Sequence, residues 1–144
     1  MLGKFKKFFE TNDNDDQKSQ AEKLHEACAI LLLEVSKADY EETSEETQKV
    51  RELLKRNFDL TEEKLTDLIQ NSRETEATSV HPFTALINEH YEYEQRVALV
   101  DKLWAVAYVD GELSKYEEAL IRKVADLLYI RHSDYIKSKL ANAS

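Results

Sequence analysis

The sequence predicts an all-α fold of about seven helices, arranged as two pseudo-symmetric halves around two long central helices. Three observations lead there. Apolar residues recur at steps of three and four along most of the chain. Only one Pro and two Gly punctuate its 144 residues, few for the many turns of an all-β chain. A pattern of acidic loop followed by helix cap occurs twice, 71 residues apart.

The elements follow in order. Residues 1–20 are expected to be a basic-aromatic tip and a flexible acidic linker. Lys4, Lys6 and Lys7 alternate with Leu2, Phe5, Phe8 and Phe9, whereas Thr11 to Gln20 contains nothing apolar to offset the entropy of ordering. Leu24, Cys28, Leu31, Leu32, Val35 and Ala38 then predict a long amphipathic helix over about 18–39. A second helix opens at Thr43, with Glu46 placed to close a capping box, and carries Val50, Leu53 and Leu54. A third follows Thr61 and buries Leu65, Leu68 and Ile69. Polar residues 71–79 mark the middle of the chain. Pro82 suits the first turn of a short helix bearing Phe83, Leu86 and Ile87. A second long helix is expected from Glu92 to Asp110, ended by Gly111. Ser114 with Glu117 caps the next, and Ser133 a final short one.

Sliding the chain on itself by 71 places Leu32 on Leu103, Val35 on Val106, Asp39 on Asp110, Glu46 on Glu117 and Arg51 on Arg122. The repeat spans roughly 24–70 and 95–141, inside one helical domain covering 21–144.

Composition restricts function. With 29 acidic and 20 basic side chains the net charge is -9, which repels phosphate backbones and argues against nucleic-acid binding. A lone cysteine, Cys28, excludes an internal disulfide or a multi-cysteine metal site, and its apolar neighbours make it a small core residue. No apolar run reaches the roughly 20 residues of a membrane span, and the first nine residues lack a signal-peptide core. The cytoplasm is therefore the expected compartment. Residues 1–9 could add weak contact with the inner membrane face, since Phe inserts while Lys meets anionic head groups.

The duplicated loop is the one feature with chemical content. Each copy has an Asp at the end of a long helix, a Glu two residues later and a second Glu seven residues after the Asp. A carboxylate at a helix C-terminus meets the negative end of the dipole and needs a compensating partner. Two readings stand. Thr43 with Glu46 and Ser114 with Glu117 can be capping boxes alone, with the Asp residues bridging helix ends. Alternatively a hard divalent cation, Ca²⁺ or Mg²⁺, lies between Asp39 and Glu46 and another between Asp110 and Glu117. The spacing is not that of an EF-hand.

The stretches Glu34 to Asp39 with Glu46, and Leu103-Trp-Ala-Val-Ala-Tyr-Val-Asp-Gly-Glu112 with Glu117, resemble the tellurite-resistance TerB family. The start, Met1-Leu-Gly-Lys-Phe-Lys-Lys-Phe-Phe9, is similar to its stand-alone bacterial members. The resemblance implies a helical fold in two related halves, divalent-cation binding at an acidic surface, and a protein partner in stress-response or membrane-linked assemblies. Carried over by position, it marks Asp39, Glu46, Asp110 and Glu117, with Glu41 and Glu112 as secondary ligands. Tyr40 stands where the second copy has Gly111, which makes the first loop the weaker match.

No catalytic constellation emerges. A di-iron bundle needs two Glu-x-x-His pairs, and only Glu22 with His25 fits; His81, His90 and His132 do not. Phosphate-cradling glycine loops, a metalloprotease helix and a nucleophile elbow are all missing from the sequence. The expected function is a non-enzymatic cytoplasmic module that needs no organic cofactor. It binds a divalent cation at the duplicated loops and acts as an interaction partner. The alternative is a scaffold or membrane-peripheral adaptor whose acidic loops are helix caps only.

Overall fold

The structure, a computed structural model, describes residues 13–38, 43–74, 79–109 and 111–143, with side chains from residue 20 onward. Seven helices make up the described residues: α1 (Asp13–Ser36), α2 (Ser44–Phe58), α3 (Glu62–Glu74), α4 (His81–His90), α5 (Tyr93–Ala107), α6 (Lys115–Leu127) and α7 (His132–Asn142). The expected all-α class is the observed one.

α1 organises the rest. The run Ala27, Cys28, Ala29, Ile30, Leu31, Leu32 and Leu33 is buried without interruption, and Val35 and Ser36 follow it into the core. The sequence spacing marks one apolar face. Tertiary packing instead covers the second half of the helix on nearly every side, because α2, α3, α4, α5 and α6 all lie against α1. That stretch shows little amphipathic contrast, since almost no solvent face is left between Ala27 and Ser36 for polar residues to occupy. α1 also starts at Asp13, inside the stretch expected as linker; a first helical turn favours acidic residues.

α5 is the second hub, packed on α1, α2, α6 and α7. At 15 residues it is no longer than α2, so α1 alone is a long helix. It ends at Ala107 rather than Asp110. A turn through Tyr108 and Val109 follows, and the Gly111 amide donates to the Tyr108 carbonyl at 2.9 Å. Gly111 has φ +82°, a left-handed conformation that a glycine adopts without a Cβ clash. On α5, Trp104 is fully buried, stacked 5.5 Å from Tyr135 of α7 and 5.9 Å from Tyr108. The three rings form an aromatic part of the core.

Helix boundaries repeat at the spacing of the sequence repeat. α1 ends at Ser36 and α5 at Ala107; α2 starts at Ser44 and α6 at Lys115. Packing pairs correspond as well: α1 with α2 and α5 with α6, α1 with α3 and α5 with α7, α1 with α6 and α5 with α2.

One expected cap differs. α7 begins at His132 behind Arg131, so Ser133 lies inside the helix and caps nothing. The Arg131 amide donates instead to the Tyr93 hydroxyl at 3.0 Å, and the same hydroxyl donates to Asp134 Oδ2 at 2.5 Å. A tyrosine from α5 therefore replaces the serine cap. The Asn88 amide closes another end, donating to the Leu127 carbonyl at 2.8 Å and tying α4 to α6.

Leu31→Ala should cost about 3 kcal/mol, because its fully buried side chain leaves a cavity that five surrounding helices cannot collapse. Chemical denaturation measures it. Tyr129 sits at φ 57° with most of its side chain in solvent. Tyr129→Gly should raise stability by up to about 1 kcal/mol, by relieving a left-handed strain with little packing to lose.

Candidate functional site

The two helix starts are built alike. Thr43 precedes α2 with φ -79° and ψ 159°, and Ser114 precedes α6 with φ -79° and ψ 151°. The Glu46 amide donates to Thr43 Oγ1 at 3.1 Å, and Glu46 Oε1 accepts from the Thr43 amide at 3.4 Å and its hydroxyl at 3.0 Å. In the second copy the Glu117 amide donates to Ser114 Oγ at 3.0 Å, and Glu117 Oε1 accepts from the Ser114 amide at 3.1 Å. Both capping boxes read from the sequence are closed.

Burial sets these boxes apart. A capping glutamate normally keeps its carboxylate wet, yet Glu46 is 1% exposed and Glu117 is 2% exposed. Glu46 Oε2 is buried, and no donor reaches it among the described residues. Its carboxyl faces that of Glu117. Burial pushes Glu46 up to about 7 from an ordinary 4.5; the Thr43 hydroxyl and amide oppose the shift and the Glu117 charge adds to it. Two acidic groups from opposite halves of the repeat thus share one low-dielectric space. That arrangement favours the protonated form of Glu46.

The other acidic candidates are less well placed. Glu112 is exposed, directly after Gly111. Asp39, Glu41 and Asp110 lie outside the described residues. Val109, the neighbour of Asp110, lines an open depression with Ser44, Glu45, Gln48, Lys49 and Glu52. The second acidic loop therefore starts beside the N-terminal half of α2, the helix that carries Glu46. Among the described residues no three His, Cys, Asp or Glu side chains converge as a metal cluster.

Groups outside the loops have structural roles. Cys28 is buried with its Sγ 3.8 Å from the Tyr91 hydroxyl, and burial pushes the thiol up to about 11, which keeps it protonated and inert. His25 stacks on Phe58 at 3.9 Å, and burial holds it below the ordinary histidine range. Sequence reading did not foresee the approach of Glu46 to Glu117. The signal available for it was their equivalence in the repeat, since a two-fold relation can bring equivalent positions together.

The helical fold, its two closed capping boxes and the buried meeting of Glu46 with Glu117 define a class, an all-α module. The family described as tellurite resistance protein TerB matches residues 25–140, and the chain belongs to that family. No characterised protein and no solved structure matches the chain significantly. No helix among the described residues is long and apolar enough to cross a membrane.

The raised Glu46 carboxyl sets a pH dependence. The folded state binds its proton more tightly than the unfolded chain, so Glu46 contributes stability below about pH 4.5 and loses it as pH rises toward 7. Glu46→Gln keeps a side-chain oxygen for the Thr43 amide and needs no proton. In melts between about pH 5 and pH 8, this variant should lose the Glu46 part of the wild-type decline and be the more stable protein at the alkaline end. A variant that declines as steeply as the wild type would contradict the assignment.

Proposed function

We propose that this TerB-family protein is a non-enzymatic module that binds one divalent cation, Ca²⁺ or Mg²⁺, between its two halves. One observation carries the reading: Glu46 Oε2 is buried, lacks a donor among the described residues, and points toward a second buried carboxylate. A divalent cation there neutralises both glutamates at once, which a single shared proton does not. Hard oxygen donors suit Ca²⁺ and Mg²⁺ over softer metals. Glu46 and Glu117 form the inner part of the site. Under this reading Asp39, Asp110, Glu41 and Glu112 are the further oxygen donors that the sequence repeat offers. Glu46 and Glu117 belong to one composite site, in place of one separate cation per loop. The cation braces the starts of α2 and α6 and converts an acidic surface into a compensated patch for a protein partner in a stress response. The cytoplasm is its proposed compartment.

The closed capping boxes favour a second reading, a scaffold or membrane-peripheral adaptor in which Glu46 and Glu117 only start helices. Calcium or magnesium at millimolar concentration separates the two at about pH 8, where proton competition is least. Cation binding raises the melting temperature by several degrees, and the rise shrinks as pH falls below 7, because the proton and the cation compete. Glu46→Gln removes most of the rise. No rise with either cation, or an equal one in the variant, assigns the glutamates to helix capping alone.

A further inference from the structure

A groove runs between the first half of α1 and α3, and neither Glu46 nor Glu117 lines it. Glu22, His25 and Glu26 line one side; Leu60, Lys64, Asp67 and Leu68 line the other. Its volume is about 420 Å³, within the range of sites that hold a few apolar side chains. The floor is apolar: Leu60 and Leu68 are half-buried, and the His25 ring lies flat on Phe58. His25 is held below its ordinary range by burial and adds no positive charge at neutral pH. The rim is acidic, with Glu22, Glu26 and Asp67 against one cation, Lys64.

We propose that this groove is the docking site of the chain's own N-terminal segment, residues 1–9. The segment has the complementary chemistry. Lys4, Lys6 and Lys7 match the acidic rim, and no acidic residue occurs before Glu10. Phe5, Phe8 and Phe9 supply apolar rings for the floor. The segment also reaches. Glu22 and Glu26 lie nine and thirteen residues into α1 from Asp13, about 14 to 20 Å along a helix. Phe9 and Phe5 lie four and eight residues ahead of Asp13, about 14 and 27 Å of extended chain, so a segment that turns back directly ahead of Asp13 and runs extended reaches the groove. Docking in this way covers an apolar floor and brings three lysines to an acidic rim. It also withdraws from solvent a group of aromatic and basic residues with the chemistry of a lipid anchor.

Nuclear Overhauser spectra of the full-length protein test this directly. Ring protons of Phe5, Phe8 or Phe9 should show cross-peaks to the methyl groups of Leu60 and Leu68. Glu22→Lys combined with Asp67→Lys changes two exposed rim residues and should weaken those cross-peaks severalfold while leaving the other amide signals in place. Phe signals at random-coil positions with no groove cross-peaks would overturn the proposal. Cross-peaks that arise only between differently labelled chains in a mixed sample would overturn it in favour of a second copy. Contacts of the segment that form only with phosphatidylserine vesicles would overturn it in favour of a lipid surface.

Discussion

A helix start requires a partner for its free amides, and in this chain the same solution is used twice with the same consequence. Thr43 and Ser114 each recruit a glutamate at the third helical position, so Glu46 and Glu117 are committed to the helix ends by local chemistry. Packing of α2 on α5 and of α6 on α1 then brings those ends together. Each glutamate is held by its cap and cannot swing out to solvent without opening the helix start. Two carboxyls therefore meet in a buried space, and the rest of the site's behaviour descends from that meeting.

α1 makes the meeting possible. Its middle is enclosed by five other helices, and nearly every residue from Ala27 to Ser36 is buried. An enclosed helix gives its neighbours a common reference, so α2 and α6 need not contact each other extensively to hold their first turns in register. Side chains reinforce this arrangement at its edges. Tyr93 joins α5 to the start of α7 through Arg131 and Asp134, and Asn88 ties α4 to the end of α6. The first of these cross-element bonds replaces the side-chain cap missing at Arg131, and the second adds to the local backbone bonds that already close α6 at Leu128.

Charge is distributed by the same logic. Ion pairs at the surface, Arg51 with Glu62 and the partly buried Lys139 with Glu118, link neighbouring helices, where solvent screening makes each a minor contributor. The buried carboxyls are the costly ones, because no water reaches Glu46 Oε2 to share the charge. A net charge of -9 says little by itself. Its consequence depends on the two glutamates that lie out of solvent.

The sequence alone determined the helical class, the 71-residue spacing of helix boundaries and both capping boxes. Each depends on residues within a few positions of one another: apolar steps of three and four, and a hydroxyl followed by a glutamate three residues on. Local patterns also misled where a distant group intervened. Ser133 resembles a cap, but the Tyr93 hydroxyl from α5 receives the amide that α7 starts with. One apolar face was legible in α1, whereas Ala29, Ile30 and Leu33 are buried because helices from both halves surround it. The nearness of Glu46 to Glu117 was decided by tertiary structure alone. Seventy-one residues separate them, and no local rule connects two helix starts until the packing of α1 and α5 sets them face to face.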